Sequence, residues 1–320
     1  MKVEPLETVL IRRTGTDESE LLNFLADAIE QVINIGTHFI KWEADRGGAS
    51  VEKTPLIMLY RHILEMGDAI SILLRSSSVD PCKAMLRSIL ETSLQIEYLL
   101  KDPETRGFCY MVCHHNKMIK QLKRMVENSQ EQKDYFNQLK NKSYTDISAN
   151  DFSHPSAQND VNRLVNLINS KDYKIYQIEY LKTSTQKNDN GKKNKNPEWY
   201  SLFGGPKSCI ELAENLKRKD FYEFMYRPFS STVHGSDLIN SNLQLLSNGF
   251  AQASPIRNND SASDFAEIAI QLLTENQRTI LERFNEGIKQ YHTHWYASFR
   301  KEYLEPLRKY NNSLNAPSTQ

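Results

Sequence analysis

The sequence has few of the residues that make tight turns. Of its 320 residues, 12 are glycine and 11 are proline. A β-sandwich or β-barrel needs a turn roughly every 8 to 12 residues, and those turns draw heavily on glycine and proline. The scarcity of both residues therefore argues against an all-β fold and favours helices.

Cysteines are also few, and they do not form a recognisable ligand or redox pattern. The four are Cys82, Cys109, Cys113 and Cys209, and none of them belongs to a C-x-x-C motif. Isolated cysteines at irregular spacing are typical of reduced, buried thiols in a cytosolic protein. The sequence predicts neither a disulfide framework nor a zinc site.

The chain lacks a charge bias and lacks long apolar runs. Lysine plus arginine and aspartate plus glutamate both number 40, so no global basic field indicates nucleic acid, and any contact with RNA must come from a local patch. No apolar run approaches the ~20 residues of a membrane span. The N-terminus, MKVEPLETVLIRR, has no apolar signal segment. We therefore expect a cytoplasmic protein without a membrane partner.

Apolar residues are present at 39% and aromatic residues at 10%, which excludes bulk disorder. Their spacing is helical along most of the chain. Three predicted helices begin at a capping residue followed by proline, a favourable start: Thr54-Pro55, Asp80-Pro81 and Asp102-Pro103. The periodicity predicts helices over 17–45, about 55–76, 81–101, 103–130, 157–170, 205–217 and 219–226, and a long one from about 262 to 309 that bends near Gly287.

These elements predict an all-α fold, an antiparallel helical bundle with a long C-terminal helix. At most a small β-hairpin insertion is expected, with residues 173–181 as the best strand candidate. We divide the chain into an N-terminal helical bundle (1–182), a polar linker or loop (183–198) and C-terminal helices that complete the same domain (199–320). The segment 183–198 has almost no apolar residue, which is typical of a loop.

A doubled R-x-x-x-E pattern is the first candidate constellation. Arg61 and Glu65 lie on one predicted helix and Arg87 and Glu91 on the next, with each pair on one helix face. Both pairs interrupt apolar stretches, where a charge must be satisfied by a partner. One interpretation is structural, with ion pairs that fix the register of the bundle. The other is a polar pocket whose arginines face an anion.

The segment from Tyr226 to His234 is the second candidate constellation. Arg227 and His234 are seven residues apart, which is about two helical turns. Histidine suits both proton transfers of metal-free RNA cleavage, and arginine suits the charge of the phosphorane. If Pro228 starts a helix, Arg227 lies at its N-terminus, where anions are favoured. Ser230 and Ser231 would add hydrogen-bond donors. The spacing by itself is expected by chance in a chain of this length.

Histidine pairs elsewhere do not predict a metal site. The chain has His114-His115 and His292-x-His294, but it has no Glu-x-x-His and no H-E-x-x-H motif. Adjacent His114 and His115 point to different helix faces, so at most one can join a given site. His292 and His294 are expected in packing or in a dimer surface. We expect no metal and no cofactor.

Two segments resemble the signatures of a known family. Ala84–Thr92, followed by Tyr98-Leu99, resembles the "LRSxxE" helix of a bacterial domain-of-unknown-function family. Trp199, Ala213 and the run YEFMYRPFSSTVHGS from Tyr222 resemble that family's second signature, with its tyrosines, arginine, serine and histidine. The resemblance covers roughly residues 50–240.

The second signature is also similar to the active-site pattern of the HEPN superfamily, small and commonly dimeric helical domains. Many of them are metal-independent ribonucleases of toxin and anti-phage systems. The resemblance implies that Arg227 and His234 form the catalytic pair and that Arg87 and Glu91 are pocket or supporting residues. Pro228 stands where active HEPN nucleases usually carry a polar residue.

Two functions therefore remain open. The first is a metal-independent endoribonuclease that forms 2′,3′-cyclic phosphates in bacterial stress or anti-phage defence, as a homodimer with RNA as substrate. Its catalytic residues would be Arg227 and His234, supported by Arg87, Glu91 and Ser231. The second is a non-catalytic helical module in which Arg61, Glu65, Arg87 and Glu91 sense a nucleotide or anion, or dock a protein partner of a defence or toxin–antitoxin system.

Overall fold

The structure, a computed structural model, describes residues 16–140, 152–186, 196–233, 243–245, 249–282 and 286–314. Helices dominate these residues, which confirms the predicted all-α class. The helices are α1 (Thr16–Asp45), α2 (Thr54–Arg75), α3 (Cys82–Lys101), α4 (Pro103–Lys123), α5 (Gln130–Lys140), α6 (Ala157–Ile168), α7 (Lys174–Thr185), α8 (Cys209–Asn215), α9 (Lys219–Phe221), α10 (Arg227–Val233), α11 (Ala262–Leu281), α12 (Glu286–Phe299) and α13 (Glu305–Leu314).

A small antiparallel hairpin is present, but not where the sequence placed it. It pairs β1 (Leu243–Leu245) with β2 (Ala251–Ala253). The predicted strand at 173–181 is wrong, because this segment forms most of α7. Its apolar residues lie on both sides of the helix: Tyr180 packs inward, while Ile175 and Ile178 are exposed. Such a pattern shows no helical periodicity and therefore imitates a strand.

The chain forms two compact units. The first comprises residues up to Ala49, Leu56–Glu97 and Leu216 onwards, and the second comprises Ser50–Pro55 and Tyr98–Asn215. The sequence placed a division at the polar segment 183–198. That division stays a prediction, and residues 187–195 lie outside the described residues.

Paired contacts give the helix directions in the first unit. Arg75, at the end of α2, binds Asp27 in the first half of α1 at 2.6 Å, and Tyr60 packs on Phe39 with ring centroids 6.4 Å apart. Helices α1 and α2 therefore run antiparallel. The Lys83 ammonium lies 5.9 Å from the Phe265 ring centroid, and Asn276 donates to Ser93 at 2.7 Å. Helices α3 and α11 therefore run parallel, and a long connection separates them in the chain.

A polar contact crosses the core of this unit. The Gln277 amide, fully buried on α11, donates to the Val32 carbonyl at 2.7 Å. Its oxygen accepts from His292 Nε2 at 3.3 Å. Burial, with a smaller contribution from the nearby Arg278, lowers the pKa of His292 to about 4. The histidine is therefore neutral at pH 7 and satisfied by one hydrogen bond.

This histidine makes the stability of the unit depend on pH. The folded pKa lies below the ordinary value of about 6.5, so the unfolded chain takes up the proton first as pH falls. The unfolding free energy of the wild type should fall between pH 7 and pH 5. We expect this fall to be about 1–2 kcal/mol smaller in His292→Gln. Urea denaturation at both pH values measures it, with the exposed His294→Gln as control. Equal pH dependence in wild type and His292→Gln would contradict the assignment.

Helix α4 is the centre of the second unit. Its buried residues contribute to two apolar clusters, one with Cys109, Val112, Tyr173, Tyr180 and Leu202 and one with Ile119, Val161, Leu164 and Ile168. Asp102 caps this helix as predicted, since its carboxylate accepts from the Thr105 N–H at 3.3 Å. Gly107 lies where α4 meets the backbone of Glu52: a Cβ added there would stand 2.0 Å from the Glu52 carbonyl oxygen. Only glycine permits this approach.

Candidate functional site

The segment that carries Arg227 is one continuous helical run in the first unit. Helix α9 passes into a π-helical turn, Tyr222–Tyr226, and then directly into α10. Arg227 itself is helical (φ −61°, ψ −46°), and its N–H donates to the Tyr222 carbonyl, five residues back. The expectation that Pro228 starts a helix is therefore wrong. Arg227 lies inside the run and has no exposed helix N-terminus to bind an anion.

Proline accounts for the π turn. Pro228 has no N–H to donate to residue 224, and its ring clashes with that carbonyl in a regular α-helix. A wider turn just before it relieves the clash. The same arrangement occurs near the C-terminus, where a π turn over Arg300–Leu304 ends two residues before Pro306. The π turn at Tyr222–Tyr226 is therefore no evidence of function by itself, although it sets the direction of the side chains there.

One side chain from this turn contacts α3. The Tyr226 hydroxyl donates to Glu91 Oε1 in a short hydrogen bond and accepts from Arg87 Nη2 at 2.9 Å. Arg87 Nη2 also donates to Glu91 Oε1 at 3.4 Å. The Arg87 guanidinium lies 5.1 Å from the centroid of the Tyr226 ring. We call Arg87, Glu91 and Tyr226 the Arg–Glu–Tyr cluster.

The electrostatics of this cluster keep the tyrosine protonated. Burial, together with the hydrogen bond to the Glu91 carboxylate, raises the pKa of Tyr226 to about 12. The phenol is therefore a donor and not a base at neutral pH. The Tyr222 ring stacks on Tyr226, with centroids 4.7 Å apart. The cluster fixes the π turn onto α3 and so sets the position of Arg227.

Removing the Tyr226 hydroxyl tests this anchoring. We expect Tyr226→Phe to lower the free energy of unfolding by roughly 1–2 kcal/mol, because Arg87 and Glu91 each lose a partner at a half-buried site. Urea denaturation measures the change. The control is Tyr291→Phe, since Tyr291 is exposed on α12. A Tyr226→Phe variant as stable as its control would show that the hydroxyl does not hold the turn.

The catalytic residues that the sequence proposed are described in part. Arg227 projects into solvent, with its side chain 69% exposed, and pairs with Glu223 at 2.7 Å. Ser230 is half-buried on α10. His234 lies outside the described residues, as does the side chain of Ser231. Their predicted roles stay predictions.

The R-x-x-x-E pair of α2, Arg61 and Glu65, is not part of the Arg–Glu–Tyr cluster and is not buried. Arg61 and Glu65 pair at 2.5 Å on α2 as their spacing predicts, but both side chains are about half exposed, at 57% and 46%. The expectation of a buried charged pair is therefore corrected for these two residues. It holds better for Arg87, whose side chain is 19% exposed. Arg87 is more buried than Arg61 because the π turn covers α3 at Arg87.

Sequence reasoning missed a cleft one helical turn from the cluster. It has a volume of about 390 Å³ and lies where α3 and α11 begin, lined by Lys83, Asp80, Ile256 and Phe265 among others. Lys83 pairs with Asp80, and Phe229 of α10 packs edge-on against Phe265 with ring centroids 6.1 Å apart. The available signal was the spacing of Lys83, four residues before Arg87 and on the same face of α3.

The adjacent histidines lie on different faces, as their spacing predicted, whereas only two of the four cysteines are fully buried. His115 is buried and its neighbour His114 is exposed; likewise His292 is buried and His294 exposed. All four cysteines are free, with Cys82 and Cys109 buried. Burial raises the pKa of both of these thiols to about 12. Within the described ranges, no three His, Cys, Asp or Glu residues group closely enough to hold a metal ion.

Comparisons with known proteins give one match. The model of a family of unknown function, DUF5677, matches residues 53–251, which is more than half of the chain and includes the whole Arg–Glu–Tyr cluster. The comparison with curated proteins found no match, and neither did the comparison with solved structures. No helix of the described ranges is long and apolar enough to cross a membrane.

Proposed function

The chain belongs to the family of unknown function DUF5677, and from this premise we propose that it is a metal-independent endoribonuclease of HEPN type. The proposal places it in bacterial stress or anti-phage defence, as a cytoplasmic homodimer with RNA as substrate. It rests on the resemblance of the segment Tyr222–His234 to the HEPN active-site pattern.

The proposed reaction is a transfer of the phosphodiester to the neighbouring ribose. His234 acts as general base or acid: it removes the proton of the 2′-OH or protonates the leaving 5′-oxygen, and water makes the other proton transfer. The 2′-oxygen attacks phosphorus and the P–O5′ bond breaks. The products are a 2′,3′-cyclic phosphate and a 5′-hydroxyl. The Arg227 guanidinium binds two phosphate oxygens and stabilises the extra negative charge of the phosphorane.

One observation supports the proposal most strongly. The guanidinium of Arg227 is exposed, while the residue before it, Tyr226, is anchored to α3 through Arg87 and Glu91. An arginine that binds a phosphorane must be accessible to the substrate and held on a rigid backbone. The pair with Glu223 is exposed and contributes at most about 1 kcal/mol, so a phosphate can replace the carboxylate.

A cleavage assay tests the proposal directly. Purified protein is incubated with total cellular RNA and with a tRNA pool in the presence of EDTA, and the fragment ends are analysed. We expect discrete fragments that carry 2′,3′-cyclic phosphates and 5′-hydroxyls. Absence of cleavage by a folded wild-type protein, or cleavage that EDTA abolishes, would overturn the metal-independent nuclease.

The cleft beside Lys83 favours a second candidate, a non-catalytic module that senses a nucleotide or anion. Its volume of about 390 Å³ is within the range of small-molecule sites. The apolar surface of Ile256 and Phe265 suits a flat ring, and Lys83 suits a charged group. Under this alternative, a nucleotide raises the melting temperature of wild type and not of Lys83→Ala, and no RNA is cleaved.

A further inference from the structure

Phe224 is an exposed aromatic residue on the helical run that carries Arg227. It lies inside the π turn, two residues before Tyr226, and is 81% exposed. Tyr226 points inward to the Arg–Glu–Tyr cluster, so the turn presents Phe224 to solvent by the same geometry that buries Tyr226. Single exposed apolar residues are ordinary on protein surfaces. Whether the exposed Phe224 ring has a function therefore depends on the groups near it.

A second exposed side chain, that of Arg227, follows on the same helical run. Arg227 is three residues later in the chain, directly after the π turn. Its side chain is 69% exposed and pairs with Glu223. An exposed aromatic ring and an exposed cation a few residues apart supply the two elements with which proteins bind single-stranded nucleic acids: the ring stacks on a base, and the cation binds the backbone.

We propose that Phe224 is a stacking platform for an unpaired base of single-stranded RNA whose adjacent phosphate is bound by Arg227. The inference rests on the proposed function in taking RNA as the ligand, and it adds the class of RNA. In a duplex both faces of each base are stacked on their neighbours, so double-stranded RNA cannot use the ring. The chain has no net charge, so binding depends on this local pair and not on a general basic surface.

Fluorescence anisotropy with a non-cleavable RNA tests the stacking platform. The probe is a short, 5′-labelled, single-stranded 2′-fluoro oligonucleotide, and a second probe has the same backbone with abasic positions. We expect Phe224→Ala to weaken binding of the first probe by about 5- to 100-fold and Phe224→Trp to retain it. Arg227→Ala should lower the slope of log affinity against log salt by about 0.7. Phe250→Ala, which removes another exposed ring of the same unit, should have no effect.

The results separate the platform from the nuclease, because the probe has no 2′-OH and its binding does not depend on catalysis. Equal binding of both probes by wild type, or unchanged binding by Phe224→Ala, would overturn the platform even if the protein cleaves RNA. A wild type that binds neither probe would also overturn it, and would leave Phe224 to a protein partner. Binding that requires both the bases and Phe224 would support the platform even in a protein without cleavage activity.

Discussion

Replacing His234 by alanine is expected to lower the rate of RNA cleavage by at least 100-fold. Proton transfer by a positioned side chain contributes roughly 10²- to 10⁴-fold to such reactions, and no other histidine belongs to this signature. Arg227→Ala should have an effect of similar size, because one charge-stabilising donor contributes about 10²- to 10³-fold. Both rates are measured under single-turnover conditions on the RNA that the wild type cleaves.

The matched controls are on the same chain. Arg61 pairs with Glu65 on an exposed helix face with the geometry of Arg227 and Glu223, so Arg61→Ala removes an equivalent surface ion pair. His294→Ala removes an exposed histidine. Both controls should cleave at the wild-type rate, and all variants should keep the wild-type melting temperature. Full activity of His234→Ala would rule out its catalytic role, and equal losses in Arg61→Ala and Arg227→Ala would rule out a specific role for Arg227.

Gly107→Ala is expected to destabilise the second unit by about 3 kcal/mol or more. The new methyl group would stand 2.0 Å from the Glu52 carbonyl oxygen, and both atoms belong to backbone or are fixed to it. Neither can rotate away, so α4 or the segment 50–55 must shift. The loss is measured as a change in unfolding free energy by urea denaturation, followed by a probe in α4.

Gly67→Ala provides the comparison. Gly67 is also inside a long helix, but its added Cβ would meet the tip of Leu273 at 3.1 Å, and that side chain can adjust. Helix propensity gains about 1 kcal/mol from glycine to alanine, so the net effect there should be small. If Gly107→Ala proves as mild as Gly67→Ala, the close approach of Glu52 to α4 is not present in solution.

The helices were predictable because their signals are local. The ends of the first three helices agree with those predicted from the apolar periodicity to within about two residues: Thr16–Asp45, Thr54–Arg75 and Cys82–Lys101. The pairing of Arg87 with Glu91 followed from their spacing. The π turn was not predicted, because proline is favoured at the first position of a helix and Pro228 was interpreted as such a start.

The candidate site was predictable only as two separate segments. Spacing placed Arg87 with Glu91 and Tyr226 with Arg227, but no local rule joins residues 135 or more positions apart. The hydroxyl of Tyr226 meets Glu91 because tertiary packing lays the π turn on α3. The same packing explains why two pairs with identical spacing differ in exposure: the π turn covers Arg87, whereas Arg61 lies on the surface.

The all-α class and the positions of the main helices followed from the amino-acid sequence, since each depends on residues near one another in the chain. Tertiary packing sets which polar groups are buried together, which ring of the π turn faces solvent and where glycine is obligatory. Those properties depend on contacts between distant segments, and the free energy of burying a charge or a ring is set by what covers it.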